Sequence, residues 1–433
     1  MKKQRQCFNI PLAILFLLVV PGQFIRAQDK PMVIITQDGE VDDRSSFMRF
    51  LLYTPDIDLR GVIATNSKWQ RQGHGLEWIN EAYRLYGKVR PNLLLHHPDY
   101  PSVDYLQSIT VLGNENPDHL TGEPPYADSE GAELIIEELL NSGDNLLHIN
   151  CWGGANTVAH ALWKLRKNDP KAFNDKAPNV RVIMISNQDE AGDWMVKNMP
   201  EIRVIQNNAF HMTWNYHLPD KPLEHNPYPN LMSKTWLYEH IKTNHGPLGA
   251  WYPQDNISEG DTPAYLNFID NGLKAYEDYS LGGWGGRYAP IRGNYWMDAT
   301  DDNNRHKTLW RWIPDLQNDF AARMDWCVMT YDEANHPPVI EEVVEAGNVK
   351  PGQKVALNAT ATDPDGDAVF YYWWHYPDPS GMLQPLMIYK ESSKQASFVV
   401  PEHATKDIHI ILEVKDDGKP VLKRYKRLVF TLD

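Results

Sequence analysis

Cysteine is scarce. The 433-residue chain has three, and Cys7 lies near the N-terminus, leaving Cys151 and Cys327 for the rest. Two cysteines allow one disulfide in an oxidising compartment, and their positions alone do not show that they meet. Cys151 follows an apolar strand pattern, where a buried thiol is the simpler reading. No zinc-ligand spacing occurs. Basic runs are also missing after the N-terminus, and the net charge is −15, which argues against a nucleic-acid partner. Long apolar runs are missing too. Ile10 to Val20 follows Lys2, Lys3 and Arg5 but is too short to span a bilayer well. It reads as an export signal over 1–27, with cleavage near Ala27 and no integral membrane segment afterwards. The expected location is the periplasm or the outside of the cell. Gly153-Gly154 is not a phosphate loop, because both the Lys-Ser/Thr ending and the GxGxxG spacing are missing.

What is present is acid and aromatic. Fifteen Trp and twenty-one Tyr suit sugar faces as well as large cores. The informative stretch is Met32-Val-Ile-Ile-Thr36, followed by Asp38, Glu40, Asp42 and Asp43. A short β-branched run ends in four carboxylates within six residues. Phe47, Phe50, Leu51 and Leu52 then recur at helical spacing. Strand, acidic turn and helix begin an α/β unit, and ligands of open α/β sheets bind beyond the carboxyl ends of strands. Four crowded acids repel unless a cation or a shared proton relieves them. Hard oxygen donors favour Ca²⁺ or Mg²⁺. Helix capping accounts for Asp42 and Asp43 but leaves Asp38 and Glu40 unexplained.

The pattern repeats along the chain. Strands are expected at 59–65, 146–150, 180–186 and 202–205, with helices at 76–86, 132–140, after 156 and at 193–198. The stretch 91–125 reads as a long loop. This alternation implies α/β architecture: a mostly parallel open sheet with helices on both faces. Four strands end in polar clusters, Asp38/Asp43, Asn66/Trp69, Trp152/Asn156 and Gln188/Asp189, all on one edge of such a sheet. From 207 to 323 the periodicity blurs, with helices expected at 231–243 and 308–324. Gly282-Gly-Trp284-Gly-Gly286 is open to two readings, a wall for a sugar ring or a tight turn around a core tryptophan. Pro337-Pro338 marks a boundary. Beyond it, short alternating strands at 355–361, 368–374, 396–400 and 408–414 read as a C-terminal all-β Ig-like sandwich. The expected division is 1–27, 28–334 and 335–433. Asp363-Pro-Asp-Gly-Asp367 reads as turn chemistry.

Gln37-Asp38-Gly-Glu-Val-Asp42-Asp43 resembles the Asp-x-Asp-Pro-Gly-x-Asp-Asp motif of nucleoside hydrolases. Thr36 stands where that family has its first Asp, and Gly39-Glu40 replaces Pro-Gly. Gly153-Gly-Ala-Asn156-Thr-Val-Ala159 is similar to the family's Gly-Pro-Leu-Thr-Asn-x-Ala segment. Glu259-Gly-Asp261-Thr-Pro263 is similar to its late His-Asp segment, with Gly260 in place of His. Glu-x-Asp-Asp, Gln188-Asp-x-Ala-Gly192, His245-Gly-Pro-Leu-Gly249, Glu259-Gly-Asp-Thr-Pro263 and Trp284-Gly-Gly-Arg287-Tyr288, in this order before a sandwich, resemble a narrower family. These are secreted bacterial nucleoside-hydrolase-like proteins, some of them labelled cellulose-binding.

The resemblance implies a Ca²⁺ site that grips vicinal sugar hydroxyls, held by Asp38, Asp42, Asp43, Asn156 through its carbonyl, and Asp261. Asp38 is implied as the base that activates water, with Asp189 or Glu190 as acids in reach of a leaving oxygen. Asn66, Trp69, Trp152, Gln188, Trp194, His245, Trp284 and Arg287 are the expected substrate-binding residues. The implied activity is Ca²⁺-dependent hydrolysis of a furanosyl or related glycosidic bond in a glycan. The alternatives are a non-catalytic polysaccharide-binding protein on a hydrolase scaffold and a periplasmic nucleoside N-ribohydrolase. The expected partner is a carbohydrate, and the sequence is silent on oligomeric state.

Overall fold

Hydrophobic residues that alternate onto both faces of a strand need cover on both sides. Strand β1 (Met32–Gln37) sends Val33 and Ile35 into one core and Met32 and Ile34 into another. A computed structural model of the protein describes residues 30–120, 124–125, 128–212 and 226–433. The expected export signal at 1–27 lies outside the described residues. Beyond β1 the sheet is built from β2 (Asp58–Ala64), β3 (Thr110–Leu112), β4 (Leu147–Cys151), β5 (Val180–Ile185), β6 (Arg203–Asn207), β7 (Tyr288–Arg292) and β8 (Tyr295–Asp298). Their order is β3-β2-β1-β4-β5-β6-β8-β7, and every pairing is parallel except β7 with β8. Chain order reverses direction between β1 and β4, and a crevice opens at such a switch point beyond the carboxyl ends.

Helix α1 (Val41–Tyr53) follows the acidic turn and buries Phe47, Phe50 and Leu51. It ends at Tyr53, and the chain continues through a 3-10 turn, Thr54–Asp56, whose early Pro55 gives up an N–H that has no intrahelical partner there. Helix α2 (Glu77–His96) runs straight through Pro91. Helix α3 (Val103–Ser108) and β3 follow, so helix and strand interrupt the expected loop at 91–125 up to Leu112, and the described residues beyond it to 125 carry neither. The proline costs about 3 kcal/mol in a helix interior. Burial of Val89 and Leu93 on either side offsets that. Helices α4 (Glu130–Asn141), α5 (Asn156–Asn168), α6 (Pro170–Lys176) and α7 (Ala191–Asn198) follow in order. Residues from α4, α5, α6 and α7 cover the Met32/Ile34 face.

The blurred region holds short helices α8 (Lys234–Leu237), α9 (Gly246–Ala250), α10 (Pro263–Leu266) and α11 (Lys307–Trp310), then α12 (Ile313–Asp325). The expected helix at 231–243 is broken into a 3-10 turn, α8 and a π turn. Pro314 lies in the first turn of α12, where its missing N–H has no intrahelical partner to lose. Strands β7 and β8 in this region were not expected from the pattern.

After Pro337-Pro338 come β9 (Val339–Val343), β10 (Asn348–Val349), β11 (Lys354–Thr362), β12 (Phe370–His375), β13 (Gln395–Val399), β14 (Ile408–Lys415) and β15 (Lys423–Leu432). They form a sheet β10-β15-β14-β12 and a sheet β13-β11-β9 around one core. The outer face of the first sheet rests on α12. The Trp312 ring lies 5.5 Å from Tyr425 and 6.1 Å from Trp374, and Lys423 pairs with Asp315 at 2.9 Å. Residues Pro31–Asp433 form one compact unit.

Candidate functional site

The carboxylates of Asp42, Asp43 and Asp261 converge, with one oxygen from each lying within 4.8 Å of the others. Asp42 and Asp43 occupy the first turn of α1, and Asp261 comes from the segment before α10. Asp38 directly follows β1 and closes the group: its N–H donates to Asp43 Oδ1 at 3.1 Å. All four residues are buried. Asp38 Oδ2, Asp42 Oδ1 and both oxygens of Asp261 have no hydrogen-bond partner. A capping role does not absorb them, because the Glu40 N-cap position makes no side-chain cap.

The electrostatics follow from this crowding. Burial, then repulsion from Glu40 and Asp38, pushes the Asp42 carboxyl well above the carboxylate range. Burial, then Asp38, Asp261 and Asp42, does the same to Asp43. Asp261 is raised by burial and by Asp42, Asp38 and Glu40. Asp38 is raised by burial, against the opposing pull of Asp43, Ser67 and the His74 charge. Orphaned hard oxygens that repel one another in a buried site are the donor set a divalent cation satisfies, so these residues fit Ca²⁺.

The turn needs its glycines. Gly39 has φ +79°, and a Cβ there would stand 2.8 Å from His74 Cβ and 2.9 Å from Trp78 Nε1. A Cβ on Gly153 would lie 2.8 Å from Asp38 Cβ, and one on Gly154 would lie 2.5 Å from the Asn66 carbonyl and from Asp189 Oδ2. Gly153-Gly154 is therefore the seam between the acidic cluster and a second, fully bonded network.

Asn156 is the centre of that network. Its amide N–H donates to Asp189 Oδ2 at 2.9 Å, and Nδ2 donates to Asn66 Oδ1 at 3.0 Å and Asp189 Oδ2 at 3.0 Å. Its Oδ1 accepts from Asn114 Nδ2 at 3.1 Å. Asn66 Nδ2 donates to the carbonyls of Arg71 and Asn116. Asp189 Oδ1 accepts from Ala191 N–H at 2.9 Å, and burial pushes its carboxyl up to about 6. Asn66, Asn156 and Asp189 thus brace the loops, and the side chain of Asn156 points its polar atoms into the bracing rather than into the carboxylate cluster. Glu190 is exposed at the N-cap of α7. Gln188 Nε2 donates to the carbonyls of Trp152 and Ile185.

Several expected substrate contacts are structural instead. Trp152 is fully buried between Phe50, 5.7 Å away, and Tyr265, 5.8 Å away, because it follows β4 directly and keeps the β1 register through its N–H to the Thr36 carbonyl, on the core face of Ile35. Trp284 is 1% exposed against Tyr425, so the core reading of Gly-Gly-Trp-Gly-Gly holds and the sugar-wall reading does not. Trp194 is half-buried, with the Arg166 guanidinium 6.0 Å from its ring. His245 Nε2 pairs with Asp325 Oδ1 at 3.0 Å. Asp325 lies two residues past Arg323, which bonds Asp56 and the Leu52 carbonyl at the far end of α1. His245 is therefore remote from the acidic turn. Arg287 pairs with Asp301 at 2.7 Å, and Tyr376 of the sandwich donates to the same carboxylate at 2.6 Å, so it joins two parts of the fold. Trp69 is 64% exposed, with Lys68 Nζ 5.0 Å from its ring. Among the tryptophans proposed for substrate, it is the one left open to solvent.

Sequence reasoning missed Asn114, Thr65 and Thr157 in the bracing network and the imidazole of His74 against Gly39. Nothing in their spacing marked them, since tertiary contact alone brings them there. Cys151 and Cys327 are both buried free thiols.

Two family models match the chain. One, described as "Cellulose-binding Sde182, nucleoside hydrolase-like domain", matches residues 32–288. The other, "Cellulose-binding protein Sde0182, C-terminal domain", matches residues 354–432. No curated protein matches. Among solved structures, a nucleoside hydrolase-related hypothetical protein from Saccharophagus degradans, associated with carbohydrate metabolism, is 32% identical. The match covers 93% of this chain and 100% of that one, with a TM-score of 0.80. The effector protein XOO4466 is 10% identical over 70% of this chain and 95% of its own, with a TM-score of 0.35, too low to support any inference. The family-model match and the Saccharophagus relative together place this chain in the cellulose-binding, nucleoside hydrolase-like family.

Proposed function

We propose that the chain is an exported hydrolase of glycosyl bonds, acting on a furanosyl or related glycoside in a glycan by direct attack of water. On this reading 28–334 is the catalytic part and 335–433 an appended module. The observation behind it is the set of buried carboxylate oxygens without donors at the carboxyl end of β1. Asp42, Asp43 and Asp261, with Asp38 beside them, would hold the metal. Bound there, Ca²⁺ would supply the positive charge the cluster lacks and a hard acid for sugar hydroxyls.

Asp38 is the base, since it lies at the edge of the cluster with Oδ2 uncommitted. It takes a proton from water as the water oxygen bonds to the anomeric carbon and the bond to the leaving group breaks. The surrounding carboxylates favour the positive charge that develops on the sugar ring. Asp189 has the raised pKa of an acid, but its oxygens are filled by amide donors. Exposed Glu190 is the better choice for protonating the leaving oxygen.

The test is product release from furanosides, oligosaccharides and nucleosides, with chelator and with Ca²⁺ restored. Release that stops and returns with the metal, and is lost in Asp38→Ala, is the expected result. Full activity of Asp38→Ala would remove Asp38 as the base. A second reading, non-catalytic polysaccharide binding, is favoured by Gly260, where nucleoside hydrolases have their His. Silence across the panel together with chelator-independent binding of one polysaccharide would establish it. Ribose release from nucleosides alone would instead favour an N-ribohydrolase.

A further inference from the structure

The outer face of the β12–β14–β15 sheet is used only in part by the contact with α12. Trp374 and Tyr425 pack on Trp312. Further along the same face of β12 nothing covers Phe370 and Tyr372, which are 48% and 47% exposed. The alternation of β12 sends Tyr371 and Trp373 into the sandwich and Phe370, Tyr372 and Trp374 outward. The two open rings stand roughly 7 Å apart along an edge strand. Adjacent exposed aromatics at the end of an interface are an interaction surface, not a packing need.

These rings border a groove of 540 Å³ whose rim carries Ser392, Lys394, Lys415 and Lys423. Glu413 is the one carboxylate among the lining residues, and it is spent: it pairs with Lys423 at 3.0 Å and accepts from Trp374 Nε1 at 2.8 Å. Lys423 is further neutralised by Asp315. Among the described residues no ion pair engages Lys394 or Lys415. Lys415 Nζ is 5.8 Å from the Phe370 ring, and Lys394 Nζ is 5.6 Å from the Tyr371 ring. Of the acids that follow Lys415, Asp416 is buried and accepts from Gly418 and Leu422 N–H, and Asp417 accepts from Ala368 N–H. A chain of net charge −15 thus lines one groove with two open aromatic rings and two ammonium groups outside any ion pair, Lys415 beside Phe370 and Lys394 at the Tyr371 edge.

We infer that this groove binds an anionic polysaccharide, with uronate rings stacked on Phe370 and Tyr372 and their carboxylates against Lys394 and Lys415. The C–H faces of a pyranose suit an aromatic platform. A neutral glucan would use the rings but leave both cations idle, whereas a uronate uses all four groups. The site lies on the sandwich and is independent of the hydrolytic reading of the carboxylate cluster.

The experiment is calorimetric titration of the full chain with polygalacturonate and with hydroxyethylcellulose, at about 0.02 M and about 0.3 M NaCl. Polygalacturonate is expected to bind more tightly than the neutral polymer and to weaken at the higher salt. Lys394→Glu/Lys415→Glu and, separately, Tyr372→Ala are each expected to weaken it at least about tenfold. Asp38→Asn is expected to bind as the parent does, so failure of the hydrolase reading leaves this result unaffected. All three altered side chains of the groove face solvent, and a thermal melt confirms that the variants stay folded. Equal, salt-independent binding of hydroxyethylcellulose, no binding of polygalacturonate, or unchanged affinity in the double lysine variant would each overturn the inference.

Discussion

Helix α1 carries one buried charge cluster at its first turn and another two turns on. At the second, Arg49 Nε pairs with Glu259 Oε2 at 2.7 Å, Nη2 reaches Gln317 Oε1 at 2.5 Å, and the guanidinium lies 3.9 Å from the Phe320 ring. Glu259 also accepts from Tyr252 and Thr262. At the first turn, Asp42 and Asp43 face Asp261, and Asp42 Oδ1 and both Asp261 oxygens have no hydrogen-bond partner. Glu259 and Asp261 are two residues apart, so one segment serves both clusters. The fold provides hydrogen-bonding partners for one set of charges and leaves the other set open. A buried charge that the chain satisfies by itself is architecture; one left open has the oxygen donors that a divalent cation fits.

Breaking the satisfied cluster has the largest expected cost. Arg49→Met strands the Glu259 carboxylate and should destabilise the chain by about 3–5 kcal/mol, measured by urea unfolding. Loss below about 1 kcal/mol would mean that water reaches the site. In the open cluster, Asp38→Ala should lower any hydrolysis by about a thousandfold without comparable loss of stability. The two variants therefore separate a structural from a chemical role.

Calcium sharpens the contrast. At a hundredfold excess over its dissociation constant it should add about 2.7 kcal/mol to stability, read as a rise in Tm that chelator reverses. Asp261→Asn should abolish that rise while stabilising the metal-free chain, because one repelling charge is gone. A drop in metal-free stability would show that the crowding is already relieved.

His148 offers a smaller test of a buried group kept neutral. It lies under Phe268 and Tyr276, with Nδ1 2.8 Å from the Tyr279 hydroxyl, and burial, then Arg181, lowers its pKa to about 3. The folded value is below the unfolded one near 6.5. Its contribution is therefore complete above that value and is lost as pH falls through the window down to 3. Between pH 7 and 5 this amounts to about 2 kcal/mol. His148→Gln should flatten that limb of a stability-versus-pH curve; an unchanged slope would assign acid sensitivity to other groups.

The α/β sheet was legible because β1, β4 and β5 are short apolar runs with both faces buried, and because each ends in polar residues on one edge. The acidic turn was legible because four carboxylates in one short segment have no local explanation. The tryptophans were not. Trp152, Trp284 and Trp69 all sit in Gly- or Asn-rich connections, yet two are core and one is exposed. Local sequence gives each the same polar setting, and only the packing of Phe50, Tyr265 and Tyr425 distinguishes them. His245 and Arg287 were drawn to the site by motif order, but ion pairs with Asp325 and Asp301 engage their side chains.

By itself the sequence determined the alternation of strands and helices, the all-β segment after Pro337-Pro338, and the concentration of acid after β1. These depend on residues close in the chain, where periodicity and turn chemistry act. The resemblance had already grouped Asp261 with Asp42 and Asp43, and only the tertiary structure decided that Glu259, two residues away, is taken by Arg49. It also decided that Asn156 and Asp189 brace the loops. Those outcomes depend on which oxygen ends up within bonding distance of a donor once the chain is folded, and that distance is set by contacts between residues 33 positions apart for Asn156 and Asp189 and 210 apart for Arg49 and Glu259.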